Sequence, residues 1–280
     1  MKRLLIAAVL AAGCATAPQP LFVEGAQGRL HVYAGGEGTG TPIFFIHGGG
    51  GSLTQWGAQL GHFSRSRRVM AMDLRGMGRS WVPVDGVYTL EAMVSDVHTV
   101  ANALNADRFV LVGHSYGGSV AAAYAAAHPE RVAGVVYADA AGRVFATPEQ
   151  WDRYLTALRM DKPEFVRNAY APMLKTASEE VKAAVLGAVD RTSVEAYAGA
   201  IEGMREFDVE RAVRAYDGPV LAIAAMETPS SFHVQFPDVP LRRMEGVGHW
   251  LMMERPAEFN AIVEEFLSDV DGAGGQQHAQ

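Results

Sequence analysis

At 280 residues and 49% hydrophobic composition, the chain is long enough for one large domain with a sizeable core, and disorder is excluded as its default state. Its 31 acidic and 24 basic residues leave a net charge of −7, without a basic run or an aromatic-basic stripe, which argues against a nucleic-acid partner. A single cysteine excludes an intramolecular disulfide in any compartment.

The chain opens on a segment that reads as an export signal. Lys2 and Arg3 form a basic start, Leu4 to Ala12 an apolar run, and Gly13-Cys14 a small-residue end. The run is too short to span a bilayer as a stable helix. Leu10-Ala11-Ala12-Gly13-Cys14 resembles a bacterial lipoprotein box, departing from it at Ala11 where leucine is usual. The resemblance implies lipidation of Cys14, with residues 1–20 as signal, lipobox and linker and with membrane contact only through that anchor. The alternative is cleavage just downstream and release as a periplasmic or secreted protein.

Leu21 to Val23 and Arg29 to Tyr33 predict a hairpin, followed by a Gly-rich loop through Gly40. Short apolar runs then alternate with helical segments: Ile43 to Ile46, Val69 to Met72, Phe109 to Val112 and Val132 to Tyr137. That alternation predicts βα units and a largely parallel sheet. From Thr89 to Leu104, residues Leu90, Met93, Val94, Val97, Val100, Ala101 and Leu104 follow the three-and-four spacing of a helix with one apolar face. Two later strands, Val220 to Ala224 and Leu241 to Met244, bring the expected count to eight, and a last helix runs from Pro256 to Leu267.

Roughly eighty residues separate the strands at 132–137 and 220–224, far more than one crossover helix needs. Residues 144–214 are therefore expected to form a helical cap inserted after the sixth strand, with 21–143 and 215–270 forming the core. An insertion at a strand's C-terminal end lies where α/β sheets bind ligands. Trp151, Tyr154, Phe165, Tyr170, Met173, Met204 and Phe207 give it an apolar, aromatic character suited to a small apolar substrate. The Gly- and Gln-rich residues 271–280 are expected to be a frayed, flexible tail.

Gly113-His114-Ser115-Tyr116-Gly117 lies between a predicted strand and a small-residue helix. A serine on such a sharp turn has its hydroxyl lifted clear of the sheet, which makes Ser115 the candidate nucleophile. Composition alone supplies about 0.14 such matches per chain, so flanking structure has to decide. Serine chemistry also needs a base, an acid behind it, and donors for an oxyanion. Among nine histidines, His249 in Gly246-Val247-Gly248-His249-Trp250 lies just after the last strand, where a loop can carry its ring over the sheet edge. His47-Gly48-Gly49-Gly50-Gly51 follows the strand at 43–46 and offers the N–H of Gly49; Tyr116 offers the second oxyanion donor. No Lys-Ser/Thr pair follows the glycines, which disfavours a nucleotide, and no histidine pair has metal-ligand spacing.

Taken together, His47-Gly48, Asp73-Leu74-Arg75-Gly76-Met77-Gly78-Arg79-Ser80, Gly113 to Gly117, and Gly248-His249 followed by Glu254-Arg255-Pro256 resemble the α/β-hydrolase family over nearly the whole chain after residue 21. The resemblance implies a serine esterase or lactonase needing no cofactor and no metal. It gives Asp73 and Arg75 a structural place and no catalytic one. Members usually carry the triad acid just beyond the strand at 220–224, but here that stretch reads Ala224-Ala225-Met226-Glu227-Thr228-Pro229. Asp139, directly after the strand at 132–137, is the favoured acid, and Glu227 is the alternative.

A serine nucleophile excludes the haloalkane dehalogenases and epoxide hydrolases of the family, which attack with aspartate. A perhydrolase, a C–C bond hydrolase and a non-catalytic binding protein stay open as rivals to the ester hydrolase.

Overall fold

The computed structural model describes residues 21–144 and 146–277; the expectations for residues 1–20, Cys14 included, lie outside the described residues. The first half contains β1 (Leu21–Glu24), β2 (Arg29–Ile46), α1 (Gly57–Phe63), β3 (Arg67–Met72), α2 (Leu90–Ala103), β4 (Phe109–His114), α3 (Tyr116–Ala127) and β5 (Val132–Ala138). Helices α4 (Pro148–Met160), α5 (Lys162–Tyr170), α6 (Glu179–Arg191), α7 (Val194–Glu206) and α8 (Val209–Arg214) follow. The chain then returns through β6 (Val220–Ala224), α9 (Phe232–Gln235), β7 (Leu241–Arg243), α10 (Leu251–Glu254) and α11 (Pro256–Gln277).

Among the described residues the sheet has seven strands, ordered β1-β2-β4-β5-β6-β7 with β3 also paired to β2. β1 is antiparallel to β2, and the pairs from β2·β4 to β6·β7 are parallel. The expectation of eight strands is corrected to seven. The predicted hairpin arm at 29–33 and the strand at 43–46 are parts of one 18-residue strand, because the Gly-rich segment between them is extended and not a free loop. β2 meets β3 twice, through the pairs Val32–Met72 to Gly35–Val69 and again through Ile43–Val69 to Ile46–Met72, with register shifts between them. By the same count the inserted helices follow β5, the fifth strand, and not the sixth.

Alternation along the strands divides the core between the two faces of the sheet. Phe44, Phe109, Leu111 and Tyr137 point to the face covered by α2 and α3, while Phe45, Val110, Val112 and Val136 point to the face that holds Trp56 and Phe259. α2 buries Leu90, Met93, Val94, Val97, Val100 and Ala101, and its cap Thr89 accepts the N–H of Ala92. Burying each large side chain of that stripe contributes about 1.5–3 kcal/mol.

α4 starts on a capping box between Thr147 and Gln150, and α6 and α7 are capped by Ser178 and Ser193. Of the tail expected at 271–280, residues 271–277 are helical, and 278–280 lie outside the described residues. α11 continues to Gln277, and Asp271 accepts the Thr41 N–H at 3.0 Å and pairs with Arg67 at 3.2 Å, tying this stretch to β2 and β3.

Candidate active site

Ser115 follows β4 directly and caps α3 with φ +51° and ψ −119°, a conformation that costs a non-glycine residue about 1–3 kcal/mol. Tight packing of strand against helix maintains it. A Cβ on Gly113 would lie 2.3 Å from the Gly117 carbonyl oxygen, and one on Gly117 would lie 2.4 Å from that of Ile46. Both flanking glycines are thus required by space.

β4 and β5 are paired in parallel with His114 opposite Ala138, so Ser115 and Asp139 are the next residues of neighbouring strands. The Ser115 N–H donates to the Ala138 carbonyl at 3.1 Å. Asp139 also has a positive φ, +40°, and its side chain is only 5% exposed. His249 donates from Nδ1 to Asp139 Oδ2 at 2.6 Å, and Oδ1 accepts the N–H groups of Ala225 and Met226 at 2.9 and 3.2 Å. The stretch after β6, where an acid was sought and Ala225 stands, therefore supplies donors to the acid of the neighbouring strand. Burial acts to raise the Asp139 pKa, but His249 and these two N–H groups outweigh it and hold the carboxyl below its ordinary value. Glu227 instead makes an exposed pair with Arg243 at 2.6 Å.

The loop bearing His249 is pinned on several sides. The His249 N–H donates to the Met173 carbonyl at 3.1 Å, and that of Gly248 donates to Glu254 Oε1 at 3.0 Å. A Cβ on Gly248 would lie 2.2 Å from the Met173 oxygen, which explains the glycine before the histidine. His114 Nε2 donates to the His249 carbonyl at 2.8 Å, and the two rings lie 4.6 Å apart. Burial, followed by the proximity of His249, pushes the His114 pKa down to about 3, so this imidazole is neutral. With Nδ1 of His249 committed to Asp139, Nε2 is the ring nitrogen left for another partner. Ser115 and His249 line the same cavity, and no hydrogen bond joins them among the described residues.

His47 controls the glycine loop. Its Nδ1 donates to the Gly48 carbonyl at 2.7 Å, and the Gly51 N–H donates to the same oxygen at 3.0 Å. The planar peptide then turns the Gly49 N–H the opposite way. His47 Nε2 accepts the Leu74 N–H at 3.0 Å, which requires a neutral ring, and burial lowers its pKa against the opposing pull of Asp73 and Gly48. From the insertion, the Tyr170 hydroxyl donates to the Gly49 carbonyl at 3.2 Å and accepts from Tyr197 at 2.8 Å. Tyr116 opens α3, and the first N–H groups of a helix have no partner within it.

Asp73 has the structural place expected of it. It accepts from His31 at 2.7 Å and from the N–H groups of Leu53 and Arg79 at 2.6 and 2.8 Å. Arg75 grips Asp96 through two bonds of 2.7 and 2.8 Å.

The cavity holds about 310 Å³ and is lined by Gly49, Ser115, Tyr116, Asp139 and His249 together with apolar groups of the insertion. Tyr154, Tyr170, Met173 and Met204 reach it as expected. Trp151 lines a separate space of about 300 Å³ that shares Val144, Tyr154, Ile201 and Met204 with the first. Phe165 packs edge-on against Tyr154 at 4.7 Å, and Phe207 packs against the core, so neither lines the cavity. Sequence reading named His47 and His114 only as members of the two glycine motifs, without a part of their own, and missed Gln55, because their parts depend on contacts across the fold.

Residues 41–193 match the alpha/beta hydrolase fold family. The chain is 29% identical over 273 residues to a 2-hydroxymuconate semialdehyde hydrolase of Pseudomonas sp. strain CF600, covering 90% of this chain and 94% of that one. A thermophilic esterase from Thermogutta terrifontis superposes with a TM-score of 0.79 at 26% identity, covering 91% of this chain and all of that one (100%). The enol-lactonase of Burkholderia xenovorans LB400 gives 0.78 at 25% identity, over 89% and 100% of the two chains. With the family match spanning more than half its length, this chain belongs to the alpha/beta hydrolase fold family.

Proposed function

We propose that this hydrolase cleaves neutral, mainly apolar carboxylic esters or lactones through an acyl-enzyme. In this reading Ser115 Oγ attacks the carbonyl carbon while His249 Nε2 takes its proton, and Asp139 holds the imidazole and stabilises the imidazolium. The N–H groups of Gly49 and Tyr116 receive the oxyanion, a contribution whose loss costs about a hundredfold or more in turnover. Collapse of the intermediate breaks the ester C–O bond, and His249 returns the proton to the departing alkoxide. Water activated by His249 then releases the acid and restores Ser115. Oxyanion stabilisation depends on the Gly49 peptide being fixed beforehand by His47, Gly51 and Tyr170.

The observation that carries this reading is the convergence of Ser115, His249 and its partner Asp139 on one largely apolar cavity. The second reading, carbon–carbon bond hydrolysis, is favoured by the Pseudomonas relative, whose name specifies a muconate, an anion. Against it, none of the described residues lining the cavity is lysine or arginine, and burying an unpaired carboxylate is costly. A panel pairing neutral esters and lactones with carboxylate-bearing ring-cleavage dienoates separates the two readings. Faster turnover of the neutral set supports the first, and strict preference for the anionic set overturns it.

Export and lipidation at Cys14 complete the proposal. It is supported by the basic, apolar and small-residue order of residues 1–14. Labelling of cells with a clickable fatty acid should tag the wild-type protein and not Cys14→Ser; equal labelling of both would refute the anchor.

A further inference from the structure

Gln55 lines the cavity yet takes no part in the steps above. It belongs to the 3₁₀ turn Leu53–Trp56, directly after the glycine loop. That turn is held firmly. The Leu53 N–H is bound by Asp73, the Gln55 N–H donates to the Ser52 carbonyl at 3.1 Å, and Trp56 is fully buried beside Phe45 and Phe259.

The Gln55 side chain is the unusual part. The residue is 4% exposed, its Oε1 is sealed from solvent, and neither end of its amide has a hydrogen-bond partner among the described residues. Buried amides are nearly always paired, and Nε2, the end of this amide that is not sealed, has no partner in the protein and can find one in a ligand group. The amide also lies against the glycine loop, since a Cβ on Gly51 would be 2.4 Å from Oε1. Its reach is therefore to substrate atoms close to the reacting carbonyl, not to the distal end of an apolar arm. With Oε1 sealed, the end of the amide open to the cavity is Nε2, a donor that can pair with a carbonyl or hydroxyl oxygen, and being neutral it places no charge beside the oxyanion.

We infer that Gln55 is a specificity-determining residue that hydrogen-bonds a substituent next to the scissile carbonyl. The favoured substrate class is then a neutral ester or lactone carrying an acylamino or hydroxyl group near that carbonyl, in preference to a plain hydrocarbon acyl ester. The inference rests on the serine-hydrolase reading and names its substrate more closely.

The test uses two p-nitrophenyl esters of the same skeleton, one of N-acetylglycine and one of isocaproic acid, in which the amide is replaced by hydrocarbon. Divided by the ratio of the two esters' hydroxide hydrolysis rates, which removes the activating effect of the acylamino group, the wild-type preference for the N-acetylglycine ester should be about tenfold or more in kcat/KM, because the hydrocarbon leaves the buried amide unpaired. Gln55→Met, close in shape but without the amide, should bring that corrected ratio to about one, and Gln55→Glu, which removes the donor, should lose the preference as well. Circular dichroism and stoichiometric fluorophosphonate titration verify that each variant is folded.

A corrected wild-type ratio near one, or a parallel fall of both substrates in Gln55→Met, overturns the inference while leaving the hydrolase reading intact. Inertness of the wild-type enzyme toward both esters, without labelling of Ser115, defeats the hydrolase reading and the inference with it.

Discussion

Replacing Asp139 by asparagine keeps the shape of the acid and reverses one hydrogen bond. Oδ1 is held by the N–H groups of Ala225 and Met226 at 2.9 and 3.2 Å, so in Asp139→Asn the amide oxygen must occupy that position. Its NH₂ group is then turned toward His249 Nδ1, which lies 2.6 Å from Oδ2 in the wild-type protein. Two donors cannot face each other, so His249 must accept at Nδ1 and carry its proton on Nε2. In that tautomer it cannot take the proton of Ser115. The same replacement in serine-protease chemistry lowers kcat by about 10⁴-fold, equivalent to about 5 kcal/mol of transition-state stabilisation. The fall should therefore be of that order in kcat, measured by saturation kinetics on a neutral p-nitrophenyl ester, with an unchanged circular dichroism spectrum. Glu227→Gln removes only an exposed pair with Arg243 and should leave kcat within about twofold. If Glu227→Gln abolished turnover and Asp139→Asn did not, the assignment of the acid would be wrong.

Because the folded pKa of Asp139 is lowered, its contribution to stability is fully present above the unfolded carboxylate value of about 3.9 and is lost as pH falls through the folded value. The unfolding midpoint of Asp139→Asn should therefore fall less steeply with acidification than that of the wild type; parallel curves would contradict this. Tyr170→Phe removes the hydroxyl that holds the Gly49 carbonyl and should lower kcat about two- to twelvefold, the value of one net hydrogen bond. An unchanged kcat would detach the insertion from the oxyanion loop. Arg75→Met strands the buried carboxylate of Asp96 and should cost about 3–5 kcal/mol in urea unfolding, with activity per folded molecule retained. A loss below 1 kcal/mol, read against the same scale, would show that the pair carries little of the fold.

The sequence reveals most where chemistry and backbone demands fall on neighbouring residues. Ser115 is legible because its strained turn needs glycines two positions away on both sides, and His249 because a glycine precedes it where the Met173 carbonyl crowds the loop. Asp139 takes one further step, since its proximity to Ser115 comes from β4 and β5 being adjacent and in register. Gln55 and the hydrogen bonds of His114 and Tyr170 were beyond local reading. Their partners are a loop, a carbonyl and a hydroxyl far away in the chain, and no spacing rule encodes such contacts.

The strand count failed for a related reason. Glycines at 35–40 suggest a break, yet pairing of β2 with β3 on both sides of that stretch keeps it extended. At the C-terminus, composition predicted fraying after residue 270, while Asp271 finds Thr41 and Arg67 across the fold and the helix continues. Phe165 and Phe207 show the limit of composition as a guide to a pocket: aromatic side chains in the insertion serve its own packing as readily as they face a ligand.

The central claim is that Ser115 is the nucleophile and that His249 activates it. Reaction of the intact protein with a fluorophosphonate, followed by peptide mass spectrometry, tests both parts at once. One adduct per chain is predicted on Ser115, none in Ser115→Ala, and labelling slowed by orders of magnitude in His249→Ala. A folded wild-type protein that stays unlabelled, or one labelled elsewhere with esterase activity surviving Ser115→Ala, would contradict the account.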